Sequence, residues 1–154
     1  MLELIMTEEL GNTPTLEVGE LTEDEAYQLA EALKLQLADH QLPSSDVASI
    51  KKMVAGLGDQ RGALRLTFAQ SLGSVGEAAI PILCVALKSN PNVVIRRASA
   101  KTLNIIGSEL ALPNLIEAFE TDNDPVVQGS SAGAMATIGI PAIESLLKIL
   151  SNDK

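Results

Sequence analysis

GALRLTFAQSLGSVG (residues 62–76), VVIRRASAKTLNIIG (93–107) and PVVQGSSAGAMATIG (125–139) fall into register when their final glycines are aligned. Gly76, Gly107 and Gly139 lie 31 and 32 residues apart. Each segment leads into a second apolar stretch: IPILCVAL (80–87), LPNLIEAF (112–119) and IPAIESLLKIL (140–150). Leu83, Leu115 and Leu147 sit 32 residues apart. A period of this length, with two helical stretches per unit, is the mark of a solenoid built from helical hairpins.

The helix that follows each glycine is an A helix, and the helix that ends at the next glycine is a B helix. The spacing predicts A helices over 46–56, 78–88, 110–120 and 140–150, and B helices over 62–74, 92–106 and 125–138. Pro91 and Pro125 suit helix starts, where no backbone donor is needed. In the second B helix, Ile95, Ala98, Thr102, Leu103 and Ile106 form a packing face, while Arg97, Lys101 and Asn104 recur on another. No helix of this kind can bury its stripe alone, so each must stack on its neighbours.

One B helix carries Gly129 and Gly133 a turn apart, in register with Arg97 and Lys101. Each glycine costs about 1 kcal/mol relative to alanine in a helix interior. Two readings follow: close packing against a neighbouring helix, or a shallow bay for a partner or planar ligand.

The N-terminal part, 1–42, lacks the repeat. TEDEAYQLAEALKLQLAD reads as one amphipathic helix over 22–38, with Thr22 and Glu25 as a capping box. Residues 1–21 have weak periodicity and either stay free or cover the open edge of the first repeat. At the other end the A helix at 140–150 has no B helix after it. The repeat region 43–154 therefore reads as about three and a half units, ending on an unpaired helix or continuing in a longer chain.

Charge is unevenly placed along the 154 residues. The net charge is -9, and residues 1–42 hold ten of the 20 acids but only Lys34 of the 11 bases. The rest of the chain is balanced. This pattern argues against nonspecific nucleic-acid binding and against an anionic membrane surface. No uninterrupted apolar run reaches transmembrane length, and the first residues lack signal-peptide character. Cys84 is the single cysteine, so no internal disulfide forms and a cytoplasmic setting is the default expectation.

The repeats resemble the HEAT-like repeats of the phycobilisome bilin-lyase and phycobilisome-degradation class. DPVV (124–127), AMATIG (134–139), IRRASAKTLNIIG (95–107) and SLGSVGEAAIP (71–81) carry the resemblance, which covers about residues 46–154. It implies an all-α, right-handed α-solenoid of HEAT-like helical hairpins. The class includes subunits that attach or remove open-chain bilins on phycobiliproteins, and relatives used only for binding or assembly. The family's repeated arginine falls at Arg65 and Arg96, where it implies a structural ladder of polar contacts. At the third position it is replaced by Gln128.

Catalytic signals are absent from the motifs. His40 and Cys84 cannot form a metal cluster, and no phosphate loop or HExxH is present. Cys84, inside IPILCVAL, reads as a buried structural thiol, and His40 as an ordinary residue at a helix end. Glu109 or Asp122 could assist thiol addition, but spacing singles out neither. An open-chain bilin, as substrate or ligand, carries propionates and would favour the basic face of Arg97 and Lys101, extended by Asn104. No other cofactor is expected.

The sequence therefore points first to a protein-binding or assembly module acting through the solenoid surface. The resemblance implies a phycobiliprotein as partner, and a second HEAT-like subunit is compatible with it. The alternative is a bilin lyase or chromophore-detaching subunit that templates transfer at a partner cysteine. A third reading is a structural module of a larger chain.

Overall fold

The computed structural model describes residues 15–139 together with 143–144, 147–148 and 150–151. The described elements are all helical: α1 (Glu23–Ala38), α2 (Val47–Gly56), α3 (Gly62–Val75), α4 (Ile80–Ser89), α5 (Val93–Ile106), α6 (Leu112–Thr121) and α7 (Pro125–Ile138). Short 3-10 turns at Gly76–Ala79 and Glu109–Ala111 precede α4 and α6. The fourth A helix expected over 140–150 lies largely outside the described residues.

The helices stack in two layers. One layer runs α2, α4, α6 and holds the A helices; the other runs α1, α3, α5, α7 and holds the B helices. Each A helix also packs on the B helix that follows it, giving the hairpins α2–α3, α4–α5 and α6–α7. The repeated hairpins make the HEAT-like, all-helical solenoid that the 31- to 32-residue period predicts. Gly62–Ser89 is long and apolar enough to cross a bilayer by length and composition, but half of its most apolar window is buried inside the stack. The run is also broken at Gly76, so it is an ordinary core segment of two helices.

The core lies between the layers. Phe68, Leu72, Leu83, Leu103, Leu115 and Val127 are all fully buried there. Burying each of these side chains contributes about 1.5–3 kcal/mol relative to leaving it exposed. The B helices bring small residues to the same interface, with Ser99, Ala100, Ser131 and Ala134 fully buried. Gly76 and Gly139 close α3 and α7 with φ of 76° and 83°, and Gly107 closes α5 with φ of 67°. Side chains with a Cβ rarely take that conformation, which is why the three register glycines recur at the same place.

The sequence assigns α1 no place in the repeat, yet α1 packs on α3 in the B layer. Ala26, Ala30 and Leu33 form its buried stripe. Thr22 accepts from the Glu25 amide and Glu25 accepts from the Thr22 amide, so the capping box forms as read. Residues 15–21 lie elsewhere, along the A-to-B turns. Lys51 Nζ donates to the Thr15 carbonyl at 3.0 Å, and Leu16, Val18 and Leu21 pack against the core.

Gly56, at the end of α2, is buried against the Phe68 ring, and a Cβ there would overlap that ring. We expect Gly56→Ala to destabilise the protein by about 1–3 kcal/mol through overpacking. Urea unfolding followed by far-UV circular dichroism measures it; an unchanged midpoint would show that the ring has room to move.

Candidate functional site

A groove of about 610 Å³ opens on the B layer between α3 and α5. Its apolar wall comes from Leu66, Ala69, Val94, Ala98, Ile105 and Val126, and its cations are Arg65, Arg97 and Lys101. Leu66 and Ile105 are more than half exposed, at 57% and 55%, although both are large and apolar. A small residue at the far end makes the geometry: Gly73 faces Ile105, and a Cβ at Gly73 would come within 2.7 Å of Ile105 Cγ2. The lining contains no carboxylate, imidazole or thiol.

The three cations are not equally available. Arg65 donates from Nη1 to the Asp59 carbonyl at 2.6 Å. Arg97 makes a two-pronged bond with Asp124, Nε to Oδ2 at 2.9 Å and Nη2 to Oδ1 at 2.8 Å. Asp124 also caps α7 by accepting from the Val127 amide at 2.9 Å. The Arg97 guanidinium holds the Asp124 carboxyl down at about 2, with the Val127 amide adding to the effect. Lys101 is exposed and has no ion-pair partner among the described residues. It is the one cation of the groove with neither an ion pair nor a side-chain hydrogen bond among the described residues.

Arg97 and Lys101 thus stand together with Arg65, whereas Asn104 does not line the groove. Asn104 turns toward α7, where its Nδ2 lies 3.9 Å from where a Gly133 Cβ would be. Nothing described lies within 4 Å of the corresponding position at Gly129. Close helix packing therefore does not explain either glycine among the described residues. They leave α7 bare beside α5 without joining the groove.

Arg96 points to the other side of the turns. Its Nη1 donates to the Asn90 carbonyl at 2.9 Å and its Nε to Asp122 Oδ2 at 3.0 Å. Arg65 and Arg96 each reach the carbonyl six residues back, so the same bond recurs one repeat apart. Gln128, in the third repeat, makes no such side-chain bond to the described residues.

The remaining candidates stand away from the groove. Asp122 is occupied, since it accepts from Arg96 and, through Oδ1, from the Asp124 amide at 2.9 Å. Glu109 lies exposed in the 3-10 turn before α6. Cys84 is only 6% exposed, and burial pushes its thiol up to about 11, so almost none of it is thiolate near neutral pH. His40 follows α1 with φ of 57°. Among the described residues, no three His, Cys, Asp or Glu side chains cluster to hold a metal.

The Arg97–Asp124 pairing was hidden in the sequence because the partners are 27 residues apart. Its only trace there is that Asp124 precedes Pro125, as a helix cap does.

The pattern of HEAT repeats matches residues 50–136. Over 136 residues the chain is 72% identical to the "Bilin biosynthesis protein MpeU" of Synechococcus sp. (strain WH8020), covering 88% of this chain and 46% of that protein. It is 29% identical over 113 residues to the "Uncharacterized phycocyanin operon protein Z" of Pseudanabaena tenuis (strain PCC 7409), covering 68% and 55%. The chain thus spans about half the length of the curated relatives it matches. No solved structure matches it significantly.

The Asp124 carboxyl has a sign that can be tested. Its folded pKa is depressed from 3.8 to about 2, so its contribution is fully present above about pH 4 and is lost as pH falls toward 2. Asp124→Asn keeps a capping oxygen but removes the ion pair. Thermal melts should show a lower midpoint for the variant at pH 7 and a gap from the wild type that narrows below pH 4. A gap independent of pH would contradict the assignment.

Proposed function

The chain belongs to the HEAT-repeat family, and from that premise we propose that it binds an open-chain bilin in the α3–α5 groove and presents it to a phycobiliprotein. The observation that carries the reading is the groove itself: an exposed apolar wall with an ammonium at Lys101 that has no side-chain partner among the described residues. A linear tetrapyrrole offers the matching chemistry, with extended apolar edges and two propionates. The volume of about 610 Å³ falls within the range of about 300–1,000 Å³ usual for ligand sites. The 72% identity to a protein named for bilin biosynthesis supports the same ligand class.

In this reading Lys101 holds a propionate, and Leu66, Ile105 and Val126 hold the pyrrole edges out of water. Arg97 keeps its bond to Asp124 and lends charge without moving. With no carboxylate, imidazole or thiol in its lining, the groove acts by positioning. The partner's cysteine sulfur bonds to a bilin side-chain carbon, the thiol proton passes to the tetrapyrrole, and nothing leaves. Holding the bilin beside the thiol in one orientation can supply a large part of such a barrier. Cys84 takes no part, because it is buried and protonated. A second HEAT-like subunit would close the groove, and the protein would work in the cytoplasm with its phycobiliprotein partner.

A binding or assembly role without transfer is the second reading, and the lack of a carboxylate, imidazole or thiol in the groove lining favours it. Titration with a free phycobilin tests the site. We expect a red-shifted, sharpened absorbance band, with affinity about tenfold weaker in Lys101→Glu, the equivalent of one charge-assisted hydrogen bond. Leu66→Glu should weaken it as well. No spectral change, or equal affinity in all three proteins, would overturn the site. Adding apo-phycobiliprotein then separates the readings: covalent colour on the partner means transfer, and a stable complex without covalent colour on the partner means assembly.

A further inference from the structure

A second groove lies on the other side of the turns and has no part in the bilin reading. It holds about 390 Å³ between the ends of α4 and α6 and the turns that follow them. Its meaning comes from the repeat. One unit earlier, this chain's own residues 17–21 lie along the corresponding place at the ends of α2 and α4.

Many of the lining positions correspond. Beside the 15–21 segment stand Ser89, Asn90 and Pro91. In the open groove their places are taken by Thr121, Asp122 and Asn123, each 32 residues on. Val85 and Ala86 beside the segment become Glu117 and Ala118 in the same way. On the opposite wall, Gly56, Gly58 and Asp59 become Leu87, Ser89 and Asn90, each 31 residues on.

The segment beside the first groove is TLEVGEL, without helix and bent at Leu16. Leu16 and Val18, two residues apart, are half-buried against the core, while Glu17 between them is exposed. That alternation is what an extended chain presents to a surface. The open groove differs at two places, with Glu117 for Val85 and Leu87 for Gly56, and its charge is nearly balanced: Arg96 pairs with Asp122 at 3.0 Å and Lys88 with Glu117 at 3.6 Å. With its charges paired, the groove offers an occupant backbone groups and the apolar Leu87, Pro91 and Ala118.

We propose that the α4–α6 groove is a docking site for an extended segment of a partner protein, with apolar residues two positions apart, seated as residues 15–21 are seated one repeat earlier. Recognition of extended peptides by grooves with pockets for alternate side chains is a recurrent mode. The site lies apart from the α3–α5 groove, so a bilin and a peptide can bind together.

The test uses the isotope-labelled full chain and a synthetic peptide, TLEVGEL, added in trans. We expect saturable amide shifts at Ser89, Asn90, Glu117, Ala118, Thr121 and Asn123. The same peptide carrying Leu16→Asp and Val18→Asp should bind at least tenfold more weakly. Thr121→Trp or Asn123→Arg, both at exposed positions, should reduce binding by a similar factor while leaving the thermal midpoint and the phycobilin titration unchanged. The proposal falls if no saturable shifts occur at those amides, or if shifts are confined to 51–59, which means exchange with the chain's own segment. It also falls if the shifts appear with protein concentration alone, which means a second copy occupies the groove.

Discussion

Every spacing in this molecule depends on one short turn, the connection from each A helix to the B helix after it. The turn begins with a side-chain oxygen acceptor, Asp59, Asn90 or Asp122. In each case its Oδ1 accepts from the amide two residues on, at 2.8, 2.9 and 2.9 Å. Such local side-chain bonds satisfy backbone donors that a tight turn would otherwise strand. Arg65 and Arg96 then tie the first residue of the turn to the helix that follows. The two arginines at 96 and 97 divide, one clasping Asp122 and the other Asp124, so the third turn is fastened to the second repeat by two ion pairs. Pairs that are partly shielded and two-pronged hold geometry better than exposed single contacts.

These turns separate two surfaces with different character. On the B-layer side, Arg97 and Lys101 border a groove walled by aliphatic side chains. On the other side, Arg96 borders a groove of backbone turns and amide side chains with Leu87, Pro91 and Ala118 among its lining. Neighbouring arginines in sequence therefore serve opposite faces of the stack. The acidic N-terminal quarter adds the ends: α1 completes the B layer against α3, and residues 15–21 run over the first two turns. Arg61 links these parts, donating from Nη2 to the Glu23 carbonyl at 2.9 Å and bonding Asp59.

Helix positions were legible because three independent signals coincide: the register glycines, the prolines and the apolar period. The B helices expected at 62–74, 92–106 and 125–138 run Gly62–Val75, Val93–Ile106 and Pro125–Ile138. The A helices expected at 78–88 and 110–120 start two residues later, because 3-10 turns come before Pro81 and Pro113. The place of α1 in the B layer was not legible, since its sequence shares the amphipathic period but none of the repeat's glycine or proline markers. The groove was half legible. Helical spacing puts Arg97 and Lys101 on one face, but which of the two is paired depends on Asp124, and a bond across 27 residues has no local signal. Asn104, grouped with them by spacing, turns the other way, because positions 101 and 104 straddle the crest of α5 between its two B-layer neighbours.

The proposed function joins these parts: a helical stack, a groove whose Lys101 has no side-chain partner among the described residues, and a separate surface for an extended partner segment. Hydrogen–deuterium exchange of the chain, with and without a saturating free phycobilin, tests the central claim most directly. The account predicts protection concentrated in α3 and α5, over 65–69 and 94–105, with α2 and α6 unchanged. Protection centred on α6 and the turn at 121–124, or no local protection at saturation, would contradict it.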